Sequence, residues 1–202
     1  MKRLFAVLAL VLLIALPVAA QTAPAASPAM PSTSPQAAPA APVGPTEPLS
    51  RAIFNGYNGI KRNLTDSADK VSEADYAFQP TKDVRNFAQM FDHIANSQFS
   101  YCASAKGEPN PNKDDFEKTA TTKAAVVKAL ADSFAYCDAA YLTLTDAKAL
   151  ELIKVGQNET PRASRLFGNT AHLNEHYGNL VTMMRLKGMV PPSTERAQQV
   201  RK

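Results

Sequence analysis

The chain contains only three histidines, and their spacing is typical of a metal site. His172 and His176 lie four residues apart in the run NTAHLNEHYGNL, and His93 lies far upstream in QMFDHIANS. On an α-helix, residues i and i+4 share one face, so both imidazoles can reach the same ion. A third imidazole from another helix would leave one coordination position open, as in catalytic zinc sites. The spacing therefore predicts a divalent-metal site, and three ordinary boundary histidines are the alternative.

Two carboxylates adjoin these histidines in the sequence. Glu175 completes HLNEH, which matches the inverted zinc-protease pattern with Glu as general base. We disfavour that interpretation because such enzymes need another acidic ligand well downstream, and only Glu195 follows His176. Asp92 and Glu175 are instead candidates for the outer partner that orients an imidazole through its second nitrogen. The alternative for both is a solvated helix face.

The two cysteines occupy near-identical contexts on two predicted helices. Cys102 lies in SQFSYCASA and Cys137 in DSFAYCDAA. In an exported chain this pair favours a structural disulfide that joins the two helices. A nucleophilic or metal-bound thiolate is the alternative, because sequence does not show whether the two Cα atoms come within bridging distance.

The first 20 residues are predicted to be a secretory signal peptide. Two basic residues precede an apolar stretch from Leu4 to Leu16, and the small residues Val18 and Ala20 precede the expected cleavage point. The apolar stretch is short for a bilayer span, and no stop-transfer segment follows it. We therefore expect an exported protein, periplasmic or secreted, with no stable membrane span after signal cleavage.

Composition divides the remaining chain into three parts. Residues 21–48 are almost entirely Ala, Pro, Ser, Thr and Gln, which predicts a disordered spacer. Residues 49–193 have a length suited to one globular domain, and 194–202 form a short basic tail. After loss of the two basic signal residues, 20 basic and 18 acidic side chains remain, a net charge of +2. With no basic stripe, nucleic-acid binding is excluded.

The elements that must position the histidines are predicted to be helices. Apolar residues recur at intervals of three and four, and no run alternates with a period of two over a useful length. Four long amphipathic segments predict an all-α four-helix bundle, and their long connections suggest that at least one crosses over. The expected helices span 48–71, 84–105, 121–144 and 162–187, with a short helical piece over 146–155. Each histidine lies beside an apolar stripe, which indicates an open cleft rather than deep burial.

Two segments resemble the DinB-like (YfiT-like) family of proposed metalloenzymes. In ADYAFQPTKDVRNFAQMFDHIANS, a y-x-F-x-P connection precedes the helix that carries the first histidine. In NTAHLNEHYGNLVTMMRLKGMVPPS, H-x-x-x-H is followed by Tyr-Gly and then by G-x-V-P-P. The two contexts occur in the family's order, and the resemblance covers residues 49–193.

The resemblance implies a four-helix bundle with a crossover connection and a divalent ion, zinc or nickel, bound by His93, His172 and His176. Some relatives transfer low-molecular-weight thiols or isomerise thiol-linked substrates. A metal-dependent hydrolase or thiol-transferase acting on a small molecule is therefore one expectation. Export sets this chain apart from the usual case, because a reduced thiol pool is not expected outside the cytoplasm.

Three functional classes remain open at this point. The first is a metalloenzyme, in which Tyr101, Asp92 and Glu175 are candidate supporting groups. The second is a non-enzymatic exported bundle that binds a metal or a small ligand. The third is a structural or partner-binding domain whose histidines have lost their role. A homodimer is one arrangement that the sequence leaves open.

Overall fold

A computed structural model describes residues 44–201 of the chain, and this part is mostly helical. The predicted signal peptide, 1–20, and most of the predicted spacer lie outside the described residues. The elements, in chain order, are α1 (Pro48–Lys70), a 3-10 turn (Glu73–Asp75), α2 (Phe87–Lys106), α3 (Phe116–Thr119), α4 (Lys123–Leu142), α5 (Asp146–Leu150), β1 (Leu152–Val155), β2 (Asn158–Pro161), α6 (Arg162–Leu186) and α7 (Pro192–Val200). Over residues 44–201, no helix combines the length and apolar character needed to span a membrane.

The four long helices form a bundle in which chain neighbours are not always spatial neighbours. Helix α2 packs against α4 and α6, and α1 packs against the same two helices from the opposite side. The α1–α2 connection, residues 71–86, therefore crosses the bundle diagonally, as does the connection from α4 to α6. The predicted four-helix bundle with a crossover connection is confirmed.

Side-chain capping determines where the helix that carries His93 begins. The side chain of Asn86 accepts a hydrogen bond from the backbone N–H of Gln89 at 2.8 Å. The Gln89 side chain accepts one in return from the Asn86 N–H at 3.1 Å. This reciprocal capping box satisfies two otherwise unpaired donors in the first turn. The helix ends at Gly107, whose φ of 73° suits a residue without a Cβ atom.

A pair of stacked tyrosines joins three helices in the core. The rings of Tyr57 on α1 and Tyr141 on α4 are fully buried and lie 3.8 Å apart, nearly parallel. The Tyr141 hydroxyl donates to the Leu166 carbonyl of α6 at 2.8 Å, and the Tyr57 hydroxyl donates to Asp138 at 3.0 Å. Since both buried hydroxyls have partners, the stack does not leave an unpaired polar group in the core.

The structure joins the two cysteines in a disulfide. Cys102 on α2 and Cys137 on α4 are fully buried, with their Cα atoms 5.3 Å apart. The amide of Asn169 on α6 approaches both sulfurs, at 3.8 and 3.9 Å. With both cysteines in this bond, a free thiolate is not available as a nucleophile or ligand.

The segment after α5 departs from the predicted helical piece over 146–155. Helix α5 ends at Leu150, and β1 pairs with β2 in an antiparallel hairpin. The β-branched residues Ile153, Val155 and Thr160 favour extended backbone, and Gly156 makes the turn at a φ of 62°. The prediction of helix is therefore wrong from Glu151 onwards, because strands of four residues are too short to show a period in the sequence.

The predicted basic tail, 194–202, begins inside a folded helix. Pro192 lies in the first turn of α7, where proline is tolerated, whereas α6 has already ended at Leu186 before Gly188, whose φ is 71°. Arg196 pairs with Asp66 of α1 at 2.5 Å, and Glu195 pairs with Lys70. The domain therefore extends beyond the expected boundary at Ser193.

The disulfide yields a stability prediction. In the chain-entropy model, a bridge across a separation of 35 residues stabilises the fold by about 4 kcal/mol. We expect the Cys102→Ala/Cys137→Ala double variant to lose about 3–4 kcal/mol of unfolding free energy in urea. Wild-type protein reduced before unfolding is the control and should lose a similar amount. A loss below about 1 kcal/mol would contradict a stabilising role for the bond.

Candidate metal centre

The three histidines of the chain converge on one point between α2 and α6. Each offers one ring nitrogen, and these nitrogens all lie within 4.8 Å of one another. The Nε2 atoms of His172 and His176 are 3.0 Å apart, and the His93 ring centre lies 4.7 Å from that of His176. Zinc–nitrogen bonds of about 2.0–2.1 Å place two tetrahedral ligands roughly 3.4 Å apart. The three rings are therefore close enough to hold one metal ion.

Burial of the neighbouring apolar side chains determines the orientation of α6, the helix that carries the His pair. Leu166, Leu173 and Leu180 are fully buried along one stripe of α6. His172 and His176 lie beside that stripe, and His176 is only 8 % exposed. The His93 side chain, on α2, is 24 % exposed. His93 and His172 therefore have the half-buried shoulder position that the helical rotation indicates, whereas His176 is more deeply buried than expected.

The surroundings favour the neutral, metal-binding form of the paired imidazoles. Burial, followed by the nearby positive charges of His176, His93 and Arg85, lowers the pKa of His172 to about 4. Burial also lowers the pKa of His176, with His93 as the next cause. A metal ion binds the deprotonated imidazole nitrogen, so little proton release is needed here at neutral pH.

A carboxylate that the sequence analysis missed orients His93. Glu117 on α3 places Oε1 3.1 Å from Nδ1 of His93, which leaves Nε2 of that ring for an ion. Arg85 donates to the same carboxylate at 2.9 Å through Nε and at 3.4 Å through Nη2. A carboxylate on the outer nitrogen of a ligating histidine is a usual feature of metal sites. The donor set therefore fits a divalent ion.

The two carboxylates proposed from the sequence, Asp92 and Glu175, are not hydrogen-bonded to the histidines. Among residues 44–201, neither Asp92 nor Glu175 makes a hydrogen bond with a histidine ring. Glu175 is exposed, whereas Asp92 is buried with Oδ1 unpartnered, and burial followed by the charges of Glu117 and Asp115 raises its pKa to about 7.

The outer nitrogens of the paired histidines differ in their surroundings. Nδ1 of His176 lies 3.3 Å from the side-chain amide of Asn179, one turn further along α6. Nδ1 of His172 is buried and has no hydrogen-bond partner among the described residues. The outer contacts on the described histidines are therefore Glu117 and Asn179.

A cleft of about 410 Å³ opens beside His176. Met90, Met183 and Leu186 give it an apolar wall, and Arg85 and Asn179 give it polar groups. A concave site with an apolar wall and few polar groups is typical of small-molecule binding. The arrangement can therefore bring a small molecule to an ion that is held by three imidazoles.

Replacing either Glu117 or Glu175 by glutamine tests which of the two carboxylates supports the metal site. Glu117→Gln removes the charge beside His93, so we expect zinc affinity to fall about 10- to 100-fold, measured by competition with a chromophoric chelator. Glu175→Gln is the matched control, because Glu175 is exposed on the helix of the His pair, and its zinc affinity should stay within about twofold. A larger loss in the control would assign the supporting role to Glu175 instead.

Solved structures with the same fold are found in several bacteria. A DinB-like protein from Bacillus cereus ATCC 10987 is 13 % identical, with a TM-score of 0.61 over 70 % of this chain and 95 % of its own. A conserved protein from Enterococcus faecalis is also 13 % identical, with a TM-score of 0.56 over 70 % and 98 %. A DinB-like protein from Bacillus subtilis is 17 % identical, with a TM-score of 0.53 over 69 % and 93 %. At these identities the similarity shows the fold alone.

Sequence comparison assigns the family independently. No curated protein is significantly similar in sequence to this chain. The family model of the DinB superfamily matches residues 60–180, which is more than half of the chain and includes all three histidines. The chain therefore belongs to the DinB superfamily.

Proposed function

We propose that the protein is an exported metal-binding member of the DinB superfamily, in which His93, His172 and His176 hold a divalent ion. The convergence of the chain's three histidines on one point carries this proposal. All three ligands are nitrogens, a donor set that suits zinc or nickel better than magnesium or calcium. The Glu117 contact with His93 supports it further, because it presents the free Nε2 to the site.

The cleft beside His176 suggests metal-assisted chemistry on a small molecule. A bound divalent ion would supply a Lewis acid, or would lower the pKa of a bound water or thiol. In this arrangement Glu117 orients His93, and Met90 and Met183 hold the apolar part of the substrate. A metal-dependent hydrolase or thiol-transferase fits this description.

Two observations help to distinguish the hydrolase, the thiol-transferase and the alternative of a non-enzymatic binding module. The buried disulfide supports an oxidising compartment, where a hydrolase needs no reduced thiol cosubstrate. However, Glu117 is already bound to Arg85 and His93, so it is not free to serve as a general base. That second observation favours the alternative of a non-enzymatic module that binds a metal or a small ligand.

Elemental analysis of the mature protein tests the metal site. The sample must carry no histidine tag, since a tag adds more imidazoles than the protein itself contains. We expect about one zinc or nickel per wild-type chain, and a loss of at least 100-fold in affinity for His93→Ala, His172→Ala and His176→Ala. Asn174→Ala, at an exposed position on the same helix, is the control and should keep its metal.

The same samples separate the two functional classes. Metal-dependent turnover of any ester, amide or thiol-linked substrate, abolished in His172→Ala, would support the enzyme. Stoichiometric metal without turnover across a broad substrate panel would support the binding module. Wild-type protein that takes up neither metal at neutral pH, or His172→Ala protein with unchanged metal content, would overturn the proposal.

Export is tested by expressing residues 1–202 in a Gram-negative bacterial host. We expect the product in the periplasm or medium, with a mature N-terminus at Gln21 by mass spectrometry. A variant with Leu12→Arg interrupts the apolar stretch and should keep the chain in the cytoplasm, unprocessed. Full-length wild-type protein in the cytoplasm would contradict the export proposal.

A further inference from the structure

Besides Arg85, a second arginine, Arg165 on α6, lies near the metal centre, against the ring of Tyr101 on α2. Arg165 and His172 are seven residues apart on α6, which is about two turns and so places them on the same face. The Arg165 guanidinium carbon lies 4.5 Å from the centre of the Tyr101 ring, and that ring lies 5.7 Å from the His172 ring. The distance from the guanidinium to the His172 ring therefore cannot exceed the sum of these two distances, so one small molecule can reach both groups.

Arg165 differs from Arg85 in lacking a counter-charge. Arg85 donates twice to Glu117, so its charge is compensated. Within residues 44–201 no carboxylate pairs with Arg165, and its buried Nε has no hydrogen-bond partner. A buried donor without an acceptor is costly, and a guanidinium fits a carboxylate or phosphate in a bidentate arrangement.

A glycine allows Tyr101 to lie between Arg165 and the metal centre. A Cβ atom added at Gly168 would approach Cε1 of Tyr101 to 3.2 Å, closer than a comfortable contact. Gly168 lies on the α6 face between Arg165 and His172. The aromatic ring therefore covers this part of α6 and forms a surface that links the unpaired guanidinium to the imidazoles.

We propose that the ligand of the metal site is an anion: one end reaches the ion, and a carboxylate at its other end is bound by Arg165 across the Tyr101 ring. This inference rests on the proposed function and adds the charge and polarity of its ligand. Glu117 compensates the charge of Arg85, whereas no carboxylate among the described residues compensates that of Arg165, and this free positive charge attracts an anion.

Matched pairs of zinc-binding hydroxamates test this proposal. Succinic, glutaric and adipic monohydroxamates each carry a terminal carboxylate, and their terminal primary amides are uncharged near-isosteres. Titrated calorimetrically into zinc-loaded mature protein, at least one carboxylate should bind about 10- to 100-fold more tightly than its amide, the gain of a charge-assisted hydrogen-bond pair. Arg165→Met should abolish this preference and leave the affinity for the amide within about twofold.

Two further variants make the assignment specific. Arg185→Met removes an exposed arginine from the other end of α6 and should retain the full preference. Arg165→Lys keeps the charge without the bidentate geometry and should retain only part of it. If Arg165→Met does not fold, the lysine variant carries the test, and an unchanged preference in it would overturn the proposal.

Zinc content is measured on every sample, so that the two proposals can fail separately. Wild-type protein with one zinc and equal affinity for carboxylate and amide at all three lengths would overturn this inference alone. An unchanged preference in Arg165→Met would also overturn it, because the carboxylate would then bind elsewhere. Wild-type protein without zinc would overturn the proposed metal function and this inference with it.

Discussion

The contact between α2 and α6 determines whether a metal site exists at all. It alone brings His93 to the His pair of α6, across a long stretch of sequence. Beneath it lies the apolar core, which includes Phe91 and Ile94 of α2 and Leu173 of α6, all fully buried. Burial of such side chains contributes about 1.5–3 kcal/mol each, far more than the partly exposed ion pairs around the site. The polar site is therefore positioned by the apolar core beneath it.

Much of the fold could be predicted from the sequence, because long amphipathic helices repeat their signal over several turns. The starts and ends of α1 and α6 were predicted within one residue, helped by Pro48 and by Gly188 with the prolines after it. Short elements give too few residues for a period to appear. The β-hairpin and α3 were missed for that reason, and α7 was missed because its pairing with α1 is visible only in three dimensions.

The site could be predicted from the sequence only where its residues lie close together along the chain. His172 and His176 show their relation by spacing, and His93 was linked to them by the family resemblance. Asp92 and Glu175 adjoin histidines in sequence, yet each step along a helix turns a side chain by about 100°, so a chain neighbour faces elsewhere. Glu117 lies 24 residues from His93 on a short helix, and no sequence pattern marks it. Arg165 could have been found, because it lies on the His172 face at a spacing of seven.

The disulfide has a topological consequence for the metal centre. Cys102 and Cys137 close a covalent ring, and Glu117 lies inside that ring. The polypeptide that presents this carboxylate to His93 is thus anchored at both ends, to α2 and to α4. Once the bond has formed, it lowers the conformational entropy of the unfolded chain, so the carboxylate is confined to a smaller volume around its partner. The disulfide between α2 and α4 thereby raises the effective concentration of the Glu117 carboxylate near His93, although neither cysteine belongs to the metal site.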